Sequence, residues 1–441
     1  MKNVYIETYG CQMNVYDTEL INSILINAGY KIISDIKKAD IYMLNTCSVR
    51  ENANNKIYAR VGDLNGIRKG SGTVLGILGC MASNFKDELL NHPKLKIDFI
   101  ASPDSYRSLP QLLSSLQIEK SEKLQANLSE FETYENIYPT RQNKTNAWVA
   151  IMRGCNNFCS YCVVPYTRGR ERSRKVDDIL GEITKLVSEG FTQVTLLGQN
   201  VNSYNSNSHD FTDLLYKISD IKGLKRIRFT SPHPKDFSDK IIKAMAEREN
   251  ICNQLHLPLQ AGSTRILEKM NRTYSQADYW ELVKKIRSAI PDIVLSTDII
   301  VGFPSENEKD FQDTVNVMEQ IKFDSAFIFK YSERKPSLAA EKYPDDVAEE
   351  IKTKRIVKLN EIQKQISYEK NIKHAGQIHT IMIEEKRGLD SARPPLKVWE
   401  VMGRNEGNKI VTVPLDNYQI GDYLDVKIIK ATPHALRGAI I

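Results

Sequence analysis

Three cysteines fall within eight residues, Cys155-Asn156-Asn157-Phe158-Cys159-Ser160-Tyr161-Cys162, directly after a strand-like run from Ala147 to Met152. This C-x3-C-x2-C spacing constrains the fold strongly, because one strand end must present three thiolates at once. No fourth Cys or His lies close by, so the set suits three corners of an iron-sulfur cubane with one iron left open. A structural zinc site closes with four protein ligands and fits less well. Three buried thiols without a metal are the remaining alternative.

Four further cysteines complete a total of seven. Cys11, Cys47 and Cys80 are far apart in sequence, yet each follows a strand-like run: Ile6 to Gly10, Tyr42 to Thr46 and Leu75 to Gly79. In an open parallel sheet all carboxyl ends share one edge, where ligands bind, so these thiols can converge on a second three-thiolate site. The plainer alternative is three separate core cysteines. Cys252 has no evident partner and is read as a packing residue. An odd, clustered set is a poor disulfide framework.

The order of elements supports this placement. With 441 residues the chain suggests about three domains. The first ~120 residues alternate strand-like runs with helical patterns, including a helix starting at Asp17 as its cap and ending at Gly29, the rhythm of a doubly wound parallel sheet. Six strand-like runs follow (Ala147 to Met152, Gln193 to Leu197, Arg226 to Thr230, Gln254 to Pro258, Val294 to Val301, Ala326 to Tyr331), most separated by helical patterns such as Gln276 to Ala289. They predict an α/β region forming a (β/α)6 barrel or partial barrel, with a second open sheet as the alternative that periodicity leaves open. Beyond 374 the pattern becomes short alternating strands with Gly and Asn turns, predicting a small antiparallel β-barrel. The expected divisions are 1–125, a linker over 126–140, 141–373 and 374–441.

The triplet with Tyr161 before its last Cys resembles the radical S-adenosylmethionine (SAM) superfamily. Over essentially the whole chain the sequence is similar to the methylthiotransferase family, through Tyr9-Gly10-Cys11-Gln12-Met13-Asn14, Asn45-Thr46-Cys47-Ser48-Val49-Arg50-Glu51, Val163-Val164-Pro165-Tyr166-Thr167-Arg168-Gly169 and Leu196-Leu197-Gly198-Gln199-Asn200-Val201-Asn202. Gln12-Met13-Asn14 and Ser48-Val49-Arg50 favour the branch acting on isopentenyl (dimethylallyl) adenosine at tRNA position 37. The other branches act on threonylcarbamoyl-adenosine tRNA or on a ribosomal protein. The resemblance implies two 4Fe-4S clusters, an auxiliary one on Cys11, Cys47 and Cys80 and a radical-forming one on Cys155, Cys159 and Cys162. It also implies SAM as methyl donor and radical source. Tyr161, Gln199, Asn200, Gln260, Asp298 and Gly302 are carried over as cofactor-binding residues. This chain departs from the family in reading Phe303-Pro304-Ser305, where Gly commonly follows the Pro, and Arg334-Lys335-Pro336-Ser337, where Arg-Pro-Gly-Thr is common.

The C-terminal module resembles the TRAM domain, an RNA-binding barrel, through Met402-Gly403-Arg404, Val411-Thr412-Val413-Pro414, Gly421-Asp422 and Leu436-Arg437-Gly438. Net charge is only +6, so its distribution matters more than its total. Residues 141–175 hold eight Lys or Arg, Lys144 among them, against one acid, Glu171. Arg168, Arg170 and Arg172 are therefore candidate phosphate contacts, with Arg404, Lys409 and Arg437 in the last module. Some of the alternate arginines can instead point inward. The bland alternative is a solvated charged turn. Expected partners are tRNA bearing isopentenyl-adenosine and an electron-donor protein; a monomer is one open oligomeric state. No apolar run approaches the ~20 residues that span a bilayer, so the expectation is a cytoplasmic protein without a membrane partner.

Overall fold

The computed structural model describes residues 1–48, 51–93, 95–118, 124–125, 128–141, 145–388, 399–414 and 416–441. Val49 and Arg50 of the second motif, Lys144 of the basic stretch and Val398 lie outside them.

The N-terminal region is a parallel six-stranded sheet. Its strands are β1 (Asn3–Tyr9), β2 (Lys31–Ile32), β3 (Ile41–Thr46), β4 (Val74–Gly79), β5 (Phe99–Ala101) and β6 (Leu124–Gln125), in the order β2-β1-β3-β4-β5-β6. Every residue of β3 is buried. Ile41 and Met43 enter one apolar cluster, with Leu20 and Leu25 of the helix Gln12–Asn27; Tyr42 and Leu44 enter another, with Ile57 and Val61 of the helix Glu51–Ile67. Strand alternation thus places a core on each face, as double winding requires.

The central region is also parallel. Strands β7 (Ala147–Ala150), β8 (Gln193–Leu197) and β9 (Arg226–Phe229) form one sheet, and β10 (Gln254–His256), β11 (Val294–Val301) and β12 (Ser325–Lys330) another. A parallel bridge between Ile227 and Ile251 joins them into a six-strand open barrel. The outer helices follow their apolar spacing. In Val176–Ser188 the buried Val176, Ile179, Ile183 and Leu186 make one stripe, while Asp177 and Asp178 complement the positive end of the helix.

The last region is a closed barrel of β13 (Ile378–Gly388), β14 (Trp399–Arg404), β15 (Ile410–Pro414), β16 (Tyr423–Ala431) and β17 (Leu436–Ile440). It is antiparallel except between β15 and β17, which run parallel and close it. Arg226 donates to the Arg404 and Thr380 carbonyls, each at 2.8 Å, and Arg228 to that of Asn405 at 2.8 Å. Tyr423 also meets Thr192, just before β8, at 3.0 Å, and Gly407 lies against Val294, the first residue of β11, so the small barrel is docked on the amino-terminal side of the large one.

Two expectations are corrected here. Asp17 does not cap a helix: the helix begins five residues earlier with Cys11 at its N-cap, and Asp17 sits inside it, fully buried. A local pattern of apolar residues from Leu20 onward does not reveal that the polar run Asp17 to Glu19 is itself helical and buried, with Asp17 against Arg153 and Arg168 of the central region. Lys409 is not a surface contact. Its side chain is 9% exposed and donates to Asp324 and Asn371, each at 2.9 Å, tying the small barrel to the large one.

Candidate functional site

Both cysteine sets lie at carboxyl ends of parallel strands. Register brings Tyr9, Thr46 and Gly79 side by side across β1, β3 and β4, so Cys11, Cys47 and Cys80 follow on neighbouring strands ~4.8 Å apart. A Cβ on Gly10 would lie 2.8 Å from that of Cys47. Gly79 takes φ +88° with the Thr46 carbonyl 2.4 Å from where its Cβ would be, a turn that only glycine makes without strain. Asn14 ties the edge together, accepting from Cys11 N at 3.3 Å and donating to the Thr46 carbonyl at 3.2 Å.

The second set hangs on the turn after β7. Gly154 has φ +77° and lies against the Arg170 carbonyl, which a Cβ would meet at 1.9 Å. Cys155 N donates to the Gly169 carbonyl at 3.1 Å and Cys162 N to that of Cys159 at 2.9 Å. Ser160 is held from the far side of the barrel, by the Met270 and Lys269 carbonyls at 2.9 and 2.8 Å. Burial pushes the Cys155 thiol up to about 11 and that of Cys162 up to about 12, with Cys159 adding to both. Metal binding must displace these protons.

Among the described residues no three Cys, His, Asp or Glu side chains close on a single ion. A cubane asks for something else, one thiolate on each of three irons, and the donor chemistry of both sets fits it. The seven cysteines, all among the described residues, form no disulfide. Cys252 is buried, as expected of a packing residue.

Each set also has a buried cation on one sulfur. Arg272 Nη1 lies 3.3 Å from Cys159 Sγ, and Arg168 Nε lies 3.2 Å from Cys80 Sγ. Sequence reasoning missed Arg272, which belongs to no motif and reaches the triplet only through the fold. Arg168 was read as a phosphate contact, and the structure corrects that: it is 3% exposed and paired with Asp17 at 2.9 Å. Arg172 is corrected likewise, being 8% exposed and paired with Asp104 at 2.9 Å. Arg170 remains exposed, with its guanidinium 4.4 Å from the centre of the Phe158 ring.

The cofactor candidates divide. Gln199 accepts from Gly154 N at 2.5 Å, fixing the cysteine turn, and Tyr161 neighbours Arg272 and Cys162. Asn200 donates to Asp236 at 2.8 Å, and its buried Oδ1 meets no donor among the described residues. Gln260, at φ +73°, donates its backbone N–H to the Asp298 carbonyl at 2.8 Å, while the Asp298 carboxylate faces His256 Nε2 at 3.1 Å. Gly302 packs on Lys352, and its N–H donates to Glu306 at 2.8 Å. Burial pushes the Glu306 carboxyl up to about 7.

Comparison with known proteins fits this geometry. Residues 149–318 match the Radical SAM superfamily, residues 3–102 match Uncharacterized protein family UPF0004, and residues 399–441 match the TRAM domain. The tRNA-2-methylthio-N(6)-dimethylallyladenosine synthase of Phocaeicola vulgatus is 43% identical over 449 residues, spanning 99% of this chain and 95% of the relative. That of Chloroherpeton thalassium is 45% identical over 442 residues, again 99% and 95%. The chain belongs to the radical SAM methylthiotransferase family.

Members of the radical SAM superfamily use a 4Fe-4S cluster and SAM, and this methylthiotransferase is a radical SAM enzyme. The names of its relatives do not favour the threonylcarbamoyl-adenosine or ribosomal-protein branches. Among solved structures, the radical SAM methyltransferase TsrM from Kitasatospora setae aligns with TM-score 0.60 at 12% identity, over 77% of each chain. The cobalamin-dependent radical enzyme OxsB aligns with TM-score 0.55 at 12% identity, over 82% of this chain and 56% of that one. At such identity the likeness is one of fold. Among the described residues no helix is long and apolar enough to cross a membrane.

Proposed function

We infer that this chain methylthiolates C2 of N6-isopentenyl-adenosine at position 37 of tRNA. The observation that carries this reading is full-length identity of 43–45% to relatives named for that product. Bound iron-sulfur clusters and SAM supply a methyl group, sulfur chemistry and a 5′-deoxyadenosyl radical, which a C2–H bond needs because it is not open to ordinary acid-base chemistry.

The chain's own residues hold and shield these groups. In this reading Cys155, Cys159 and Cys162 hold the radical-forming cluster, with Arg272 compensating charge at Cys159. Cys11, Cys47 and Cys80 hold a second one; the shared strand edge and the buried Arg168 support it. Gln199 keeps the triplet's turn in place, and Tyr161, Asn200, Gln260 and Asp298 flank the cofactor. Gly302 acts through backbone shape, letting the loop turn beside Glu306. The boundaries at 125, 140 and 373 separate a sulfur-handling unit, a linker, a radical unit and an RNA-binding unit. Arg437 and Arg170 contact phosphate, helped by Lys430, the exposed cross-strand neighbour of Arg437. Arg404 supports the same face, held by Glu384 at 3.1 Å. An electron-donor protein supplies the reductant.

The test is anaerobic incubation of the reconstituted protein with SAM, a reductant and isopentenyl-adenosine-bearing tRNA, with mass spectrometry of the digested nucleosides. The expected result is a 2-methylthio nucleoside, abolished separately by Cys11→Ala and Cys155→Ala. Formation of 5′-deoxyadenosine without any thiolated nucleoside would overturn the substrate assignment.

A further inference from the structure

Arg168 lies six residues beyond Cys162, yet the sulfur it touches is Cys80 of the other cysteine set. The short helix Val164–Arg168 that leaves the second set therefore inserts a side chain into the first. Two of the three guanidinium nitrogens have partners. Nε meets Cys80 Sγ at 3.2 Å, Nη2 meets Asp17 at 2.9 Å, and Nη1 meets no acceptor among the described residues although the side chain is 4% exposed. A buried donor left without an acceptor is costly; Arg153 and Arg172 nearby also leave guanidinium nitrogens unmet among the described residues, and Arg168 differs from them in reaching a cysteine sulfur.

Charge points the same way. Asp17 is shared: its other oxygen accepts from Arg153 Nη2 at 2.7 Å. Two buried guanidiniums thus face one buried carboxylate, leaving a net positive charge beside Cys80. Arg153 also lies over the Tyr134 ring at 4.6 Å, and Arg172 and Asp104 neutralise each other nearby. In a chain with neutral thiols this excess cation would be a liability, and next to an anionic cluster it is compensated.

We infer that Arg168 is a positioning and charge-compensating residue of the auxiliary cluster, with Nη1 the donor to a cluster sulfur and Asp17 the residue that aims it. The inference rests on the reading that Cys11, Cys47 and Cys80 hold that cluster. Reduction adds a negative charge, which a fixed guanidinium and its hydrogen bonds favour, so Arg168 raises the cluster's potential. A staple that only joined two domains through Asp17 would leave the potential unmoved.

The experiment uses the full chain with Cys155, Cys159 and Cys162 all changed to Ala, so that one cluster remains. Iron and sulfide are counted, the midpoint potential is followed by EPR, and 15N-arginine labelling is read by pulsed EPR. The expected results are four irons, a weak 15N coupling to the cluster that Arg168→Lys abolishes and Arg153→Lys retains, and a lower midpoint potential in Arg168→Met that Arg168→Lys partly restores. An unchanged potential in Arg168→Met, or no 15N coupling in the parent, overturns the inference while leaving the cluster in place. The labelling needs no change at Arg168, so it decides the matter even where Arg168→Met fails to fold. Absence of iron from the triple-Ala chain is a different failure, sinking the auxiliary cluster itself and the role of Arg168 with it.

Discussion

Arg172 gives both terminal nitrogens to the carboxylate of Asp104, at 2.9 and 3.0 Å, and both side chains are buried. The pair joins the segment after the second cysteine set to the loop after β5, and so closes one cysteine-bearing edge against the other. Its neighbours repeat the pattern: Arg153 and Arg168 meet Asp17, while Arg174 and Arg141 meet Glu182. The Asp104→Asn variant leaves a buried guanidinium half-compensated, and its expected cost is about 3 kcal/mol. Hydrogen exchange checks it: amides at 102–106 and 172–174 lose protection together, while the salt dependence of tRNA binding stays as it was.

A buried histidine sets a pH dependence. His233 is 6% exposed, and burial, with Arg272 and Lys235 nearby, lowers its pKa to about 2. It stays neutral when folded, whereas the unfolded chain takes up a proton below ~6.5. Stability contributed by this site is therefore complete above that pH and is lost as pH falls, by about 1.4 kcal/mol per pH unit. His233→Asn removes this slope. Between pH 6.5 and 5 the stability difference between parent and variant in urea should shift against the parent by about 2 kcal/mol.

The two kinds of lysine and arginine on the small barrel should separate in RNA binding. Lys430→Ala removes an exposed charge, and Arg437→Ala removes a half-exposed one that Glu400 meets at 2.7 Å, so each is expected to weaken tRNA binding, and Lys430→Ala to lower the salt slope by about 1. Lys409→Met removes a buried tie to Asp324 instead. Its expected signature is loss of exchange protection where Asn371 meets the Thr432 carbonyl, with the salt slope retained. Equal slope changes in all three variants would contradict this division.

Ser305 occupies a position where the family commonly has Gly, and its φ of +67° is left-handed. Its hydroxyl is buried with no partner among the described residues. A side chain there costs ~1–2 kcal/mol, partly returned through a stiffer unfolded chain. Ser305→Gly is expected to stabilise the large barrel by about 0.5–1 kcal/mol, read as a higher urea midpoint. A lower midpoint would mean that the loop depends on the serine.

The strand ends that carry Cys11, Cys47 and Cys80 were legible because alternation and spacing are local signals, and a parallel sheet converts shared strand ends into shared position. The same holds for the triplet, whose three cysteines lie within eight residues of one loop. Boundaries are less legible: the helix Glu349–Ile372 opens on Glu349 and Glu350, an acidic first turn that carries no apolar signal.

By itself, then, the sequence determined which thiols can gather and which segments are strand, helix or small barrel, since those follow from periods of two and 3.6 residues along a single element. Only the tertiary structure decided the fate of the charges. Arg168, Arg172 and Lys409 look like surface cations in sequence, and Asp17 like a cap, but each is buried against a partner 38 or more residues away. The physical reason is that a charge is silent about its environment until two domains close on it, and whether it meets water, phosphate or a carboxylate is settled by packing between elements that no local pattern records.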